Sequence, residues 1–99
     1  MADRDEPEGV EELVEVPING TLDLHTFAPR EIADLVSTYL DECRERGILE
    51  VRIIHGKGTG TQRRIVQGVL ERHPAVRAFR SGDAQGGGWG ATLVDLVPL

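Results

Sequence analysis

Val51-Arg52-Ile53-Ile54-His55-Gly56-Lys57-Gly58-Thr59-Gly60 is the stretch that decides the fold. Val51 to Ile54 reads as a short, mostly apolar strand. The next six residues hold one histidine, one lysine and three glycines. From Thr61 or Gln62 to about Arg72, the apolar residues Ile65, Val66, Val69 and Leu70 recur at helical spacing. A strand that runs through glycines into a helix leaves backbone N–H groups free at the helix start, where the positive end of the helix dipole also lies. Such a junction is an anion site, and Lys57 adds a mobile positive charge. The phosphate of a nucleic acid is the anion it suits best.

Toward the N-terminus, Thr21-Leu22-Asp23-Leu24-His25 alternates with period two. Leu22 and Leu24 are expected to face the core, with Thr21, Asp23 and His25 sharing the opposite face or its rim. Ile18-Asn19-Gly20-Thr21 before it carries an Asn-Gly turn signal. Between the two strands lies a helix of about 17 residues, roughly 26 Å long. Pro29 suits its first position and Glu31 its first turn. Ile32, Leu35, Val36, Tyr39, Leu40 and Cys43 form its apolar stripe, and Gly47 suits the position just past its end.

Toward the C-terminus, His73-Pro74 ends the second helix. Gly68 within that helix is expected to mark close packing. Val76 to Arg80 reads as a strand, with Val76, Ala78 and Arg80 on one side and Arg77 and Phe79 on the other. Ser81 to Gly90 is a glycine-rich loop holding Trp89, either a packed anchor or a base-stacking residue. Ala91 to Val97 is nearly continuous in apolar character, the mark of a central strand. The order is β-α-β-α-β-β. It specifies an α/β chain, more closely an α+β two-layer sandwich, with a mixed four-stranded sheet and two helices packed on it.

The 99 residues suffice for one domain. Residues 1–15 hold seven acids and one base, a balance of −6 equal to that of the whole chain. They read as an acidic, flexible tail on a single domain spanning 16–99, with residues 11–17 able to add a short edge strand. Residues 51–82 carry seven bases against Glu71 alone. The half that holds the glycine stretch is therefore basic, and a local basic field draws phosphate even to an acidic protein. Cys43 is the one cysteine, so no intrachain disulfide forms. No apolar run approaches the ~20 residues that span a membrane, and the acidic N-terminus lacks a secretory pattern. A cytoplasmic protein without a membrane partner is expected.

If the Thr21–His25 and Val51–Ile54 strands run parallel, His25 and His55 both lie at carboxyl ends, the edge where open α/β sheets take ligands. Asp23, His25, His55, Lys57 and the glycine amides would then converge. Asp23 is placed to orient His25 or to favour its charged form. On RNA, one histidine would act as base on a 2′-hydroxyl and the other as acid on the leaving oxygen, with Lys57 and loop amides stabilising the phosphorane-like state. On DNA, water must attack, and a metal such as Mg2+ held by Asp23 and a histidine would activate it. Both histidines also fit structural roles at strand ends, and the glycines a tight turn. The stretch is neither a Walker P-loop, since Gly58 follows Lys57, nor G-x-G-x-x-G, since Arg63 occupies the last position. A zinc site lacks a fourth ligand.

Three motifs together resemble the Smr (small MutS-related) domain, found at the C-terminus of some MutS-type proteins and alone. Leu22-Asp23-Leu24-His25 is similar to its L-D-x-H motif, and His55-Gly56-Lys57-Gly58 to its H-G-x-G motif. Gly87-Gly88-Trp89-Gly90-Ala91-Thr92 resembles the glycine-rich turn into its last strand. The resemblance covers about Thr21 to Val97. It implies a fold similar to the C-terminal domain of translation initiation factor three, nucleic-acid binding, and in several members nicking or endonuclease activity on structured DNA or RNA. By that analogy Asp23 and His25 are catalytic candidates, and His55, Gly56, Lys57 and Gly58 bind or act on phosphate; the two-histidine reading adds His55 to the catalytic candidates. Gly56, Lys57, Gly58, Thr59, Gly60, Arg63, Arg64, Gly88 and Trp89 are candidates for nucleic-acid contact. Thr26 stands where the family often has glycine. A nucleic-acid-binding module without catalysis is the alternative, and a small-molecule phosphate binder a third reading.

Overall fold

A computed structural model describes residues 16–56, 60–82 and 90–99. The elements in chain order are β1 (Thr21–Asp23), α1 (Pro29–Glu45), β2 (Glu50–Ile54), α2 (Thr61–Arg72), β3 (Val76–Ser81) and β4 (Ala91–Leu96). The four strands form one sheet in the order β1-β2-β4-β3. β1 runs parallel to β2, and β4 runs antiparallel to both β2 and β3. The carboxyl ends of β1, β2 and β3 therefore share one edge of the sheet with the start of β4.

One side of the sheet makes the core. Leu22, Val51, Ile53, Val94 and Leu96 are buried there with Ile32, Val36, Tyr39, Leu40 and Cys43 of α1 and Val66, Val69 and Leu70 of α2. These are the residues whose spacing put them on one stripe or one face. β4, buried on both flanks by β2 and β3, is the near-continuous apolar strand expected at the centre.

Local chemistry sets the element ends. Ala28 N–H donates to the Glu31 carboxylate at 2.9 Å, which ties down the chain where α1 begins. Gly47, with φ +77°, follows the last turn of α1, where the left-handed conformation suits glycine. Asn19 Oδ1 accepts from Thr21 N–H at 3.0 Å in a turn that leads into β1. Gly20 adopts φ +97° there, and its N–H donates to the Tyr39 hydroxyl at 3.0 Å. That hydroxyl in turn donates to the Thr21 carbonyl at 3.1 Å, so one buried side chain of α1 pins the entry to the edge strand. Burial pushes the Tyr39 phenol above its ordinary pKa.

Four expectations are corrected. β1 stops at Asp23 rather than His25, because Asp23 Oδ1 caps the His25 N–H at 3.0 Å and turns the chain. β3 does not alternate simply. A register shift between Val76 and Ala78 brings Val76 and Phe79 together onto the core, while Ala78 and Arg80 are exposed. Gly68 marks no close approach, since a Cβ there would meet only the Arg72 guanidinium at 3.5 and 3.9 Å. Val16 and Pro17 are not in a strand; residues 1–15, including the rest of the expected edge strand, lie outside the described residues.

Candidate nucleic-acid interface

The shared strand edge gathers the candidate residues. Leu24 N–H donates to the Ile54 carbonyl at 2.9 Å, so the pairing of β1 with β2 extends one step beyond the strand. His25 follows directly. Its side chain is 75% exposed and that of Asp23 49%. Asp23 Oδ1 lies 2.9 Å from His25 Nδ1, in addition to accepting the His25 N–H. An ionised carboxylate can only accept, so Nδ1 carries the proton and Nε2 points outward with its lone pair available. The two bonds from His25 hold the Asp23 carboxyl below its ordinary pKa. The sequence expectation that Asp23 orients His25 is met by this geometry.

His55, one residue past β2, sits differently. It is only 5% exposed. Nδ1 lies 3.1 Å from the Gly56 carbonyl and Nε2 lies 2.8 Å from Thr92 Oγ1. Burial lowers its pKa, with a smaller push from the Arg63 charge. A neutral ring with both nitrogens engaged has no free position for proton exchange with a substrate. The two motif rings therefore stand differently: His55 is held inside the protein, while the His25 side chain is largely exposed. Thr92 was read only as part of a turn motif, and the signal that could have singled it out is a hydroxyl in a largely apolar strand whose other polar residue is Asp95.

Gly56 takes φ +80° and its N–H, like that of His55, donates to the Gly90 carbonyl. Gly60, with φ +87°, caps the N-terminus of α2. Arg64 N–H bonds the Gly60 carbonyl at 3.0 Å, and the Gln62 and Arg63 amides precede it without an acceptor inside the helix. Pro29, His55, Gly56, Gly60, Thr61, Gln62 and Arg63 line a concavity of about 340 Å³ between the starts of both helices and the end of β2. Gln62 Nε2 donates to the Phe27 carbonyl at 3.3 Å, joining α2 to the segment that carries His25. Arg63 donates to Ser81 Oγ at 3.1 Å across the same edge, and Arg64 is exposed. Asp23, His25, Gly56, Gly60 and Arg63 are thus assembled along one edge. Lys57, Gly58, Thr59, Gly88 and Trp89 lie outside the described residues.

The remaining histidine is structural. His73 donates from Nε2 to Asp41 at 2.9 Å and accepts the Ala75 N–H at Nδ1, linking the end of α2 to α1. Cys43 is a buried free thiol, raised in pKa by burial. Among the described residues no three His, Cys, Asp or Glu side chains gather to hold a metal ion. No helix among them is long and apolar enough to cross a membrane.

The chain is similar to several known proteins. The Smr domain of MutS2 from Thermus thermophilus, a crystal structure, superposes with a TM-score of 0.76 at 34% identity, over 81% of this chain and 100% of that one. YdaL, a stand-alone small MutS-related protein from Escherichia coli, superposes with a TM-score of 0.74 at 26% identity, over 86% of this chain and 70% of that one. Endonuclease MutS2 of Clostridium tetani is 39% identical over 79 residues, covering 80% of this chain. The match takes in only 10% of that relative's length. The sequence pattern of the Smr domain fits residues 22–97, and the chain belongs to the Smr domain family.

Proposed function

We propose that this chain binds DNA or RNA at the shared strand edge and cleaves a phosphodiester bond there, with Asp23 and His25 as the acid–base pair. The observation that carries the reading is the exposed His25 ring, tied at Nδ1 to Asp23, on the same sheet edge as the glycine-lined concavity at the start of α2. Membership of a family whose relatives include proteins named endonucleases supports it.

The proposed mechanism uses these groups as follows. A phosphate settles against the amides at the start of α2, where Arg63 and Arg64 lie, and Lys57 is proposed from the sequence to add its charge. Gly56 and Gly60 line that concavity, and Gly58, Thr59, Gly88 and Trp89 are proposed as further nucleic-acid contacts from the sequence motifs alone. His25 Nε2 removes the proton from the attacking oxygen, a 2′-hydroxyl in RNA or water on DNA. The new P–O bond forms as the leaving oxygen departs and takes a proton from solvent. Fixed positive charge and N–H dipoles stabilise the extra negative charge on the phosphoryl oxygens. Asp23, half exposed and with one oxygen committed to His25, is the group that would hold Mg2+ together with a substrate phosphate. Such an ion would lower the pKa of a bound water.

A second reading is a recognition module without catalysis, and the engaged His55 favours it, because only one of the two motif imidazoles remains outside the protein. Incubating the protein with single-stranded RNA, supercoiled plasmid and branched DNA, with EDTA or with magnesium, separates the two. Cleavage supports the enzyme, and the EDTA lanes divide the metal-free route from the metal-assisted one. Salt-sensitive binding without cleavage supports the module.

A further inference from the structure

Thr92 is 1% exposed on β4, and in sequence it is far from His55 and His25. Its Oγ1 contacts His55 Nε2 at 2.8 Å, and His55 Nδ1 contacts the Gly56 carbonyl at 3.1 Å. The direction of both bonds follows from chemistry. A carbonyl oxygen only accepts, so Nδ1 carries the hydrogen. A buried neutral imidazole then presents a lone pair at Nε2, and the Thr92 hydroxyl must donate to it. The relay runs from Thr92 O–H to His55, and from His55 N–H to Gly56. It is closed on its far side by the Gly90 carbonyl, which accepts the N–H groups of both His55 and Gly56 at 2.9 and 3.0 Å.

These bonds together fix the backbone on both sides of Gly56. Gly56 adopts φ +80°, a conformation open to glycine and rarely to other residues, so its backbone has alternatives that the relay removes. Its carbonyl is turned toward the His55 ring, and its residue lines the concavity at the start of α2.

We infer that Thr92, through His55, is a positioning residue that holds the Gly56 backbone as a fixed wall of the phosphate-receiving concavity at the start of α2. This rests on the functional reading above and assigns His55 to loop geometry, leaving proton transfer to His25. The amides at the start of α2 gain affinity only if the concavity they face keeps its shape before the ligand arrives, so a loosened Gly56 wall weakens phosphate binding and misplaces the scissile bond together. The role needs a hydroxyl on β4, which serine supplies and valine, nearly the same in shape, does not.

The test compares Thr92→Val and Thr92→Ser with the wild type in two measurements. The first is the His55 ring tautomer, read from imidazole nitrogen shifts by NMR. The wild type and T92S should show Nδ1–H only, and T92V a mixture of tautomers. The second is Kd for a labelled single-stranded oligonucleotide, with its cleavage rate. T92V should raise Kd about tenfold and slow cleavage at saturating substrate, while T92S stays within about threefold of the wild type. An Nε2–H ring in the wild type overturns the relay. T92V with unchanged Kd and rate, in a wild type that binds, overturns the positioning role alone. A wild type that binds no oligonucleotide overturns the functional reading and the positioning role with it.

Discussion

Asp23 Oδ1 accepts two bonds from one residue, His25 N–H at 3.0 Å and His25 Nδ1–H at 2.9 Å. The first ends β1 and the second fixes the ring that leaves it, so backbone turn and imidazole orientation come from a single oxygen. Asp23→Asn separates them. An amide oxygen can still accept the backbone N–H, but its NH2 group can also face Nδ1 and select the opposite tautomer. The variant should fold with nearly wild-type stability and lose at least tenfold in cleavage, with binding changed less. Paired denaturation and single-turnover assays check this.

The Tyr39 hydroxyl joins α1 to both Gly20 N–H and the Thr21 carbonyl. Tyr39→Phe leaves the Gly20 donor buried without its acceptor. It should destabilise the fold by about 1–3 kcal/mol, the cost of an unsatisfied buried group. Urea unfolding measures it directly.

Gly68 lies in the middle of α2 and a methyl group there meets only the end of a flexible arginine. Gly68→Ala should therefore stabilise the protein by about 0.5–1 kcal/mol, the ordinary helical preference for alanine. A loss of stability on the same unfolding curve would show that the position is crowded after all.

His55 makes stability depend on pH. Its folded pKa lies below the ordinary 6.5, so between those two values the unfolded chain holds more protons than the folded one. Stability should fall as pH drops through that window, with a slope of at most about 1.4 kcal/mol per pH unit from this group. Asp23 acts lower. Its contribution is complete above the ordinary 3.8 and is lost as pH falls through the depressed folded value. Unfolding curves at several pH values, for the wild type and His55→Gln, isolate the first effect: the variant should show a shallower decline below neutrality.

The sequence was legible wherever a local rule decided the outcome. The stripe from Ile32 to Cys43, the proline at the start of α1, Gly47 past its end and the alternation of Leu22 and Leu24 all depend on neighbours within a few positions. The parallel pairing of β1 with β2 followed from a strand–helix–strand unit, and it brought Asp23 and His25 to the expected edge. What escaped was set by partners far along the chain. The shift in β3 is fixed by its register against β4, and period-two counting cannot register it. His55 looked equivalent to His25 because each is a histidine at a strand end. The difference is Thr92, which meets His55 only because β4 is inserted beside β2 in the sheet. Gly68 misled because a glycine in a helix has no side chain to show whether space is needed.

The most direct measurement is single-turnover cleavage of whichever nucleic acid the substrate panel identifies, by the wild type and by His25→Ala purified in parallel. The exposed ring makes no core contact, so the variant should fold and still bind within about threefold. Its cleavage rate should fall by at least about 10²-fold, as expected for removal of a general base. Cleavage by His25→Ala at the wild-type rate would contradict the assignment of His25 as the acid–base group at this edge.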